Sequence, residues 1–181
     1  RAGLVGADGA THHGVFDTAY LRCIPNMTLA SPLNELEFRN MLYTAQHTKG
    51  PYAIRYPRSS GVTANWKQPL ERIETGTANL LKEGSDLLFI SYGPIGNEVI
   101  AAIKRLEADG VQVGHIDLRF VKPLDEELLL DQLKKHSRVI TVEDGAIHGG
   151  VGSAILELCS NHELNPTIKR VGIPDRFVDH G

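Results

Sequence analysis

Cysteine, tryptophan and methionine are scarce in this chain, at two, one and two among 181 residues. Cys23 and Cys159 stand far apart, with no C-x-x-C and no histidine at metal-ligand spacing, so neither a disulfide framework nor a thiolate metal centre is expected. Each lies in an apolar pattern and reads as a buried free thiol, which fits a reducing cytoplasm. Charge of one sign is also lacking: the formal net charge is -3 and the isoelectric point about 6.2. With no basic field and no run of like charges, nucleic-acid and membrane-surface partners are unsupported. There is no apolar run of about 18 residues and no signal peptide, so neither spanning nor secretion is indicated. No internal repeat or low-complexity tract occurs. An initiator methionine is missing as well, and the chain opens inside what reads as a strand, so a piece of a longer polypeptide is expected.

What is present is ordinary for a globular α/β protein: 41% hydrophobic and 23% charged residues, enough for one domain or two small ones. The first residues run as a glycine-spaced strand into a polar loop holding Asp8, Thr11, His12 and His13, then into a helix over 15–23. A short buried strand over 27–30 follows. Ser31-Pro32 then offers a cap and a tolerated first helical proline for a helix that Gly50-Pro51 ends. A β-rich run over 52–56 is halted by Pro57, which places Arg58 just past a strand end. Strand, helix, strand predicts parallel pairing.

Small polar residues and Pro69 mark 63–75 as a linker. Beyond it, strands are predicted near 77–81, 87–92, 111–118, 138–142 and 168–171. The first two are joined by the Glu83-Gly84-Ser85 turn and read as an antiparallel pair. Helices bearing Val99, Ile100, Ile103 and Leu106, then Leu128, Leu129 and Leu133, then 151–159 separate the rest, which argues for a mostly parallel five-stranded sheet.

Three groups of residues have chemical potential. Asp8 and His12 share the opening loop, where an imidazole can exchange a proton with a developing alkoxide and a carboxylate can orient it; a capped helix start is the plainer alternative. Arg1 and Arg58 offer planar guanidinium forks of the kind that grip phosphate, although surface arginines are commonly just solvated. Arg55, inside a strand, reads as a structural ion-pair partner. Glu143-Asp144-Gly145 leads through His148-Gly149-Gly150-Val151-Gly152-Ser153 to a helix N-terminus, a place that can bind anions. Its two carboxylates and the absence of a P-loop lysine favour a structural role instead.

The opening R-A-G-L-V-G-A-D-G-A-T-H-H-G-V-F-D, followed in order by Cys23-Ile24-Pro25-Asn26-Met27, Gly50-Pro51, Arg55-Tyr56-Pro57-Arg58, Asp117-Leu118-Arg119-Phe120-Val121-Lys122-Pro123-Leu124-Asp125 and Gly149-Gly150-Val151-Gly152-Ser153, resembles the transketolase family of thiamine diphosphate enzymes over essentially the whole chain. The resemblance implies the carboxyl-terminal half of a parallel-sheet pyrimidine-binding domain over 1–62. A transketolase C-terminal-like domain, truncated at its end, is implied over 76–181. It further implies a transferase that condenses pyruvate with glyceraldehyde 3-phosphate, loses CO2, and feeds isoprenoid, thiamine and pyridoxal precursors.

On this reading Asp8 and His12 are catalytic, and Arg1 and Arg58 bind the acceptor phosphate. Ser59 stands where glycine commonly follows R-Y-P-R, and His13 falls at a variable position. The family's cofactor is thiamine diphosphate with Mg²⁺, yet the G-D-G and downstream Asn that hold them are missing and the cofactor-activating glutamate lies upstream. The chain by itself is therefore expected to be inactive, and its parent a cytoplasmic homodimer. Alternatives are a transketolase, a 2-oxoacid dehydrogenase beta subunit, or a non-catalytic module that binds an anion or pairs subunits through the 143–153 loop.

Overall fold

The computed structural model describes residues 2–63 and 65–181. Its amino-terminal part consists of α1 (Asp17–Arg22), β1 (Thr28–Ala30), α2 (Glu35–Ala45) and β2 (Tyr52–Ile54). β1 and β2 pair in parallel, Thr28 with Tyr52, as the strand, helix, strand order predicts. The cap of α2 differs from expectation: Asn34 Oδ1 accepts the Glu37 N–H at 3.0 Å. Ser31 is buried, and its hydroxyl donates to the Arg55 carbonyl at 3.1 Å, so it is spent on tying β1 to the end of β2.

The predicted opening strand does not form. Its place holds two isolated bridges, Ala2 with Pro57 and Gly3 with Gly14. Gly3 sits at φ +73°, outside the extended region, and Pro57 has no N–H with which to continue a ladder.

The carboxyl-terminal part contains β3 (Asn79–Lys82), β4 (Leu87–Tyr92), α3 (Gly96–Ala108), β5 (Val113–Asp117), β6 (Phe120–Lys122), α4 (Glu126–Lys135), β7 (Arg138–Ala146), α5 (Val151–Asn161) and β8 (Thr167–Ile173). Five of its strands form one sheet in the order β3-β5-β4-β7-β8, parallel except for β3 against β5. The expected antiparallel partner of β3 was β4. Instead the crossover through α3 returns β5 to the edge of β4, and β3 takes the outer edge of β5. Gly84 makes this possible, because a Cβ there would stand 2.2 Å from the Val113 carbonyl carbon and the Gly114 nitrogen.

β6 leaves its own half and pairs antiparallel with β1, Ala30 opposite Phe120, so a second sheet runs β2-β1-β6. Leu29 of β1 lies in the same buried cluster as Ile90, Tyr92, Ile116, Leu118 and Ile155. The two halves thus share a core, at roughly 1.5–3 kcal/mol per fully buried large apolar side chain. Lys122 Nζ extends the joint by donating to the carbonyls of Arg22, the last residue of α1, and of Ile24 just beyond it, 2.7 Å each. Cys159 is buried as expected, whereas Cys23 is exposed because α1 ends one residue before it.

His115 is 1% exposed on β5 and bonds Ser91 Oγ through Nε2 at 2.8 Å. Burial pushes its pKa down to about 4. An unfolded chain, with His near 6.5, binds a proton that the folded chain refuses, so this contribution is full above about pH 6.5 and is lost as pH falls toward 4. The loss over that window is on the order of 3 kcal/mol at about 1.4 kcal/mol per unit. Denaturant titrations across it should show a shallower acid-side decline for His115→Gln than for the parent chain; equal slopes would refute the assignment.

Candidate functional site

The loop between Gly3 and Gly14 is closed at its stem by reciprocal backbone bonds: Gly3 N–H to Gly14 O at 2.9 Å and Gly14 N–H to Gly3 O at 3.0 Å. Inside it, the Asp8 and Gly9 amides donate to the Val5 carbonyl and the His12 amide to that of Gly9, forming a compact turn. Gly9 is required at its position, since φ is +71° and a Cβ would press to 2.9 Å from His180 Cβ. The carboxyl-terminal tail therefore lies over the loop. Gly181 N–H donates to Gly6 O at 3.1 Å.

His13 belongs to this scaffolding. Its Nδ1 accepts the Val5 N–H at 2.8 Å, which leaves the ring proton on Nε2 to donate to Val178 O at 3.1 Å. His12 is exposed, and its Nδ1 engages Thr11 Oγ1 at 3.0 Å. Asp8 is gripped by the Arg58 guanidinium. The structure thus brings together two of the four residues singled out from sequence, Asp8 and Arg58, with His12 on the same turn as Asp8; Arg1 lies outside the described residues. Ser59 sits at no positive φ, so the missing glycine leaves the backbone unstrained and Arg58 still reaches the loop.

Arg58 is half exposed, its side chain at 56%, and such a pair contributes roughly 0–1 kcal/mol. An entering dianion can therefore compete for the guanidinium at small cost. A cavity of about 430 Å³ behind Pro57 and Ser59 is lined by neither Asp8 nor His12.

Glu143 and Asp144 take different parts. Glu143 is buried, and its carboxylate accepts the Val151 and Gly152 amides at 3.0 and 3.1 Å. It fills the N-terminus of α5, the very place an external anion would occupy. Burial raises its pKa against the pull of those amides. Asp144 instead reaches Arg55, which proves to be the ion-pair partner expected of it. Sequence gave no sign of the tail over the loop or of Asp17 and Asp144 as partners of Arg55, because every such contact joins distant stretches of chain.

Among the described residues no group of three or more His, Cys, Asp and Glu side chains could hold a metal ion. Nor is any described helix long and apolar enough to cross a membrane.

Two family descriptions match: transketolase, pyrimidine binding domain, over residues 1–62, and transketolase, C-terminal domain, over 76–181. The chain is 57% identical to 1-deoxy-D-xylulose-5-phosphate synthase of Bacteroides thetaiotaomicron, over all of this chain and 28% of that protein. It is 56% identical to the synthase of Bacteroides fragilis, with the same coverage. Among solved structures it resembles a split-gene transketolase, described as an inactive beta4 tetramer, with a TM-score of 0.83 and 34% identity over 92% of this chain and 55% of that one. The chain spans just over a quarter of the length of the curated relatives it matches.

Proposed function

Because the chain belongs to the transketolase family and carries that family's pyrimidine-binding and C-terminal domains, we propose that its whole protein is a 1-deoxy-D-xylulose-5-phosphate synthase, with this chain supplying the acceptor half of the site. The identity to synthases over the full chain supports the substrate pair: pyruvate as two-carbon donor, glyceraldehyde 3-phosphate as acceptor. The observation that carries the local reading is the Arg58 grip on Asp8 beside His12.

Arg58 binds the acceptor phosphate, exchanging Asp8 for a doubly charged partner that its planar fork fits better. Asp8 accepts a hydrogen bond from an acceptor hydroxyl and orients the aldehyde. Thr11 holds His12 through Nδ1, leaving Nε2 to deliver a proton to the carbonyl oxygen as the new bond forms. Thiamine diphosphate with Mg²⁺, when bound by the whole enzyme, supplies the carbanion-stabilising chemistry that the donor requires. These residues bind, orient and protonate the acceptor only, so the chain by itself turns nothing over. The whole protein works as a homodimer in the cytoplasm on this reading.

The test uses the full-length protein with pyruvate, thiamine diphosphate and Mg²⁺. Arg58→Ala should raise KM for glyceraldehyde 3-phosphate about 10–100-fold, the loss of a charge-assisted contact worth roughly 1.5–3 kcal/mol, while KM for unphosphorylated glyceraldehyde stays within about twofold. Equal losses on both acceptors would remove Arg58 from phosphate binding. A second reading, a transketolase subunit, draws on the structural likeness to the split-gene protein. Turnover of a ketose phosphate donor in place of pyruvate would favour it.

A further inference from the structure

The stem of the Asp8–His12 loop is held from outside by a single buried side chain. Arg55 is 4% exposed and uses each guanidinium nitrogen on a different partner. Nε donates to Asp17 Oδ2 at 2.7 Å, one terminal nitrogen donates to Asp144 Oδ1 at 2.9 Å, and the other donates to Gly14 O at 3.0 Å. Gly14 O is also the acceptor in the stem bond from Gly3. Asp144 covers the opposite side of that stem, since a Cβ on Gly3 would lie 2.8 Å from its Oδ2. Next along β7, the Ala146 amide donates to Val15 O at 2.6 Å. Asp17, Arg55 and Asp144 therefore join the loop, the end of β2 and the last turn of β7 at one point. Burial works against the guanidinium charge, and the Asp144 charge and then the Asp17 hydrogen bond outweigh it, holding its pKa above the ordinary value.

We infer that Arg55, braced by Asp144 of the carboxyl-terminal half, is a positioning residue that fixes the stem of the Asp8–His12 loop, so that this half sets the geometry in which the acceptor is held. The inference rests on reading that loop as the acceptor site. Its physical basis is reach: a misplacement of about 1 Å at reacting groups can cost on the order of 100-fold in rate. The loop's own turn bonds, the His13 ring and the Arg58 grip shape its tip, and its stem sets how that whole turn is placed against the rest of the fold. Neither Arg55 nor Asp144 touches substrate on this assignment, and each acts through Gly14 and Gly3.

Asp144→Asn separates this role from general stability, because it leaves Arg55 paired with Asp17 and bonded to Gly14. In the full-length protein, amide hydrogen exchange of residues 5–13 should rise at least fivefold in Asp144→Asn, with the protection of β1 and β4 unchanged. KM for glyceraldehyde 3-phosphate should rise about 5–10-fold, and KM for pyruvate should stay within about twofold. Val139→Ala, a core truncation on the same strand, is the comparison: it should lower the melting temperature without moving loop exchange or acceptor KM. Unchanged loop exchange in Asp144→Asn, or an equal rise in Val139→Ala, overturns the inference. Should the parent protein fail to use the acceptor at all, the acceptor reading falls, while the exchange comparison still decides whether Arg55 and Asp144 hold the loop.

Discussion

Arg55→Met is expected to destabilise the chain by about 3–5 kcal/mol, read as a fall in the urea midpoint at unchanged slope. The guanidinium side chain is 2% exposed, and its removal leaves Asp17 and Asp144, at 19% and 18%, facing a site with no cation. Asp17 is already short of partners, since its Oδ1 is buried with none among the described residues. Two carboxylates in that position must ionise unpaired or take up protons, and either route costs what the ion pairs had offset. The cost belongs to the imbalance rather than to the lost contacts. The triple variant Arg55→Met, Asp17→Asn, Asp144→Asn should therefore recover a substantial share of the loss. A single variant within about 1 kcal/mol of the parent chain would mean that the joint is far better hydrated than its burial shows.

His12→Ala should lower kcat of the full-length enzyme by a factor on the order of 10²–10⁴ with the phosphorylated acceptor, the usual range for a positioned proton donor. Stability should move by no more than about 0.5 kcal/mol, because His12 is exposed and its ring bonds only the neighbouring Thr11 among the described residues. His13→Ala supplies the contrast. His13 holds Val5 and Val178 through its two nitrogens, so its loss should loosen the loop and raise acceptor KM more than it lowers kcat. Should His12→Ala retain kcat within twofold, another group carries the proton and the role given to His12 is wrong. The two adjacent histidines thus make a paired experiment on one turn.

Much of the architecture was legible in local pattern. Parallel pairing of β1 with β2 followed from strand, helix, strand, and the mostly parallel five-stranded sheet from alternating strands and helices. The misreadings share a cause. The opening strand, the partner of β3 and the cap of α2 each turned on what lay across space. Pro57 opposite Ala2 stops a ladder, β5 occupies the edge of β4, and the Ser31 hydroxyl is taken up by the Arg55 carbonyl while Asn34 caps the helix. Periodicity records which face of a segment is apolar, and it carries nothing about which neighbour arrives there first.

The same division runs through the candidate site. The order of glycines and polar residues between Gly3 and Gly14 by itself determined that a tight polar loop forms and that Asp8 and His12 ride on it, because backbone conformation and side-chain chemistry are local properties. Only the tertiary structure decided that Arg58 falls on Asp8, that His13 is turned inward as a brace, and that a lone buried arginine welds the loop stem to Asp144. Those pairings close over 50, 8 and 89 residues of chain. The Arg55 pairing exists because burial makes an unpaired charge too costly to leave, whereas the exposed Arg58–Asp8 pair depends on where the two chain segments are brought together.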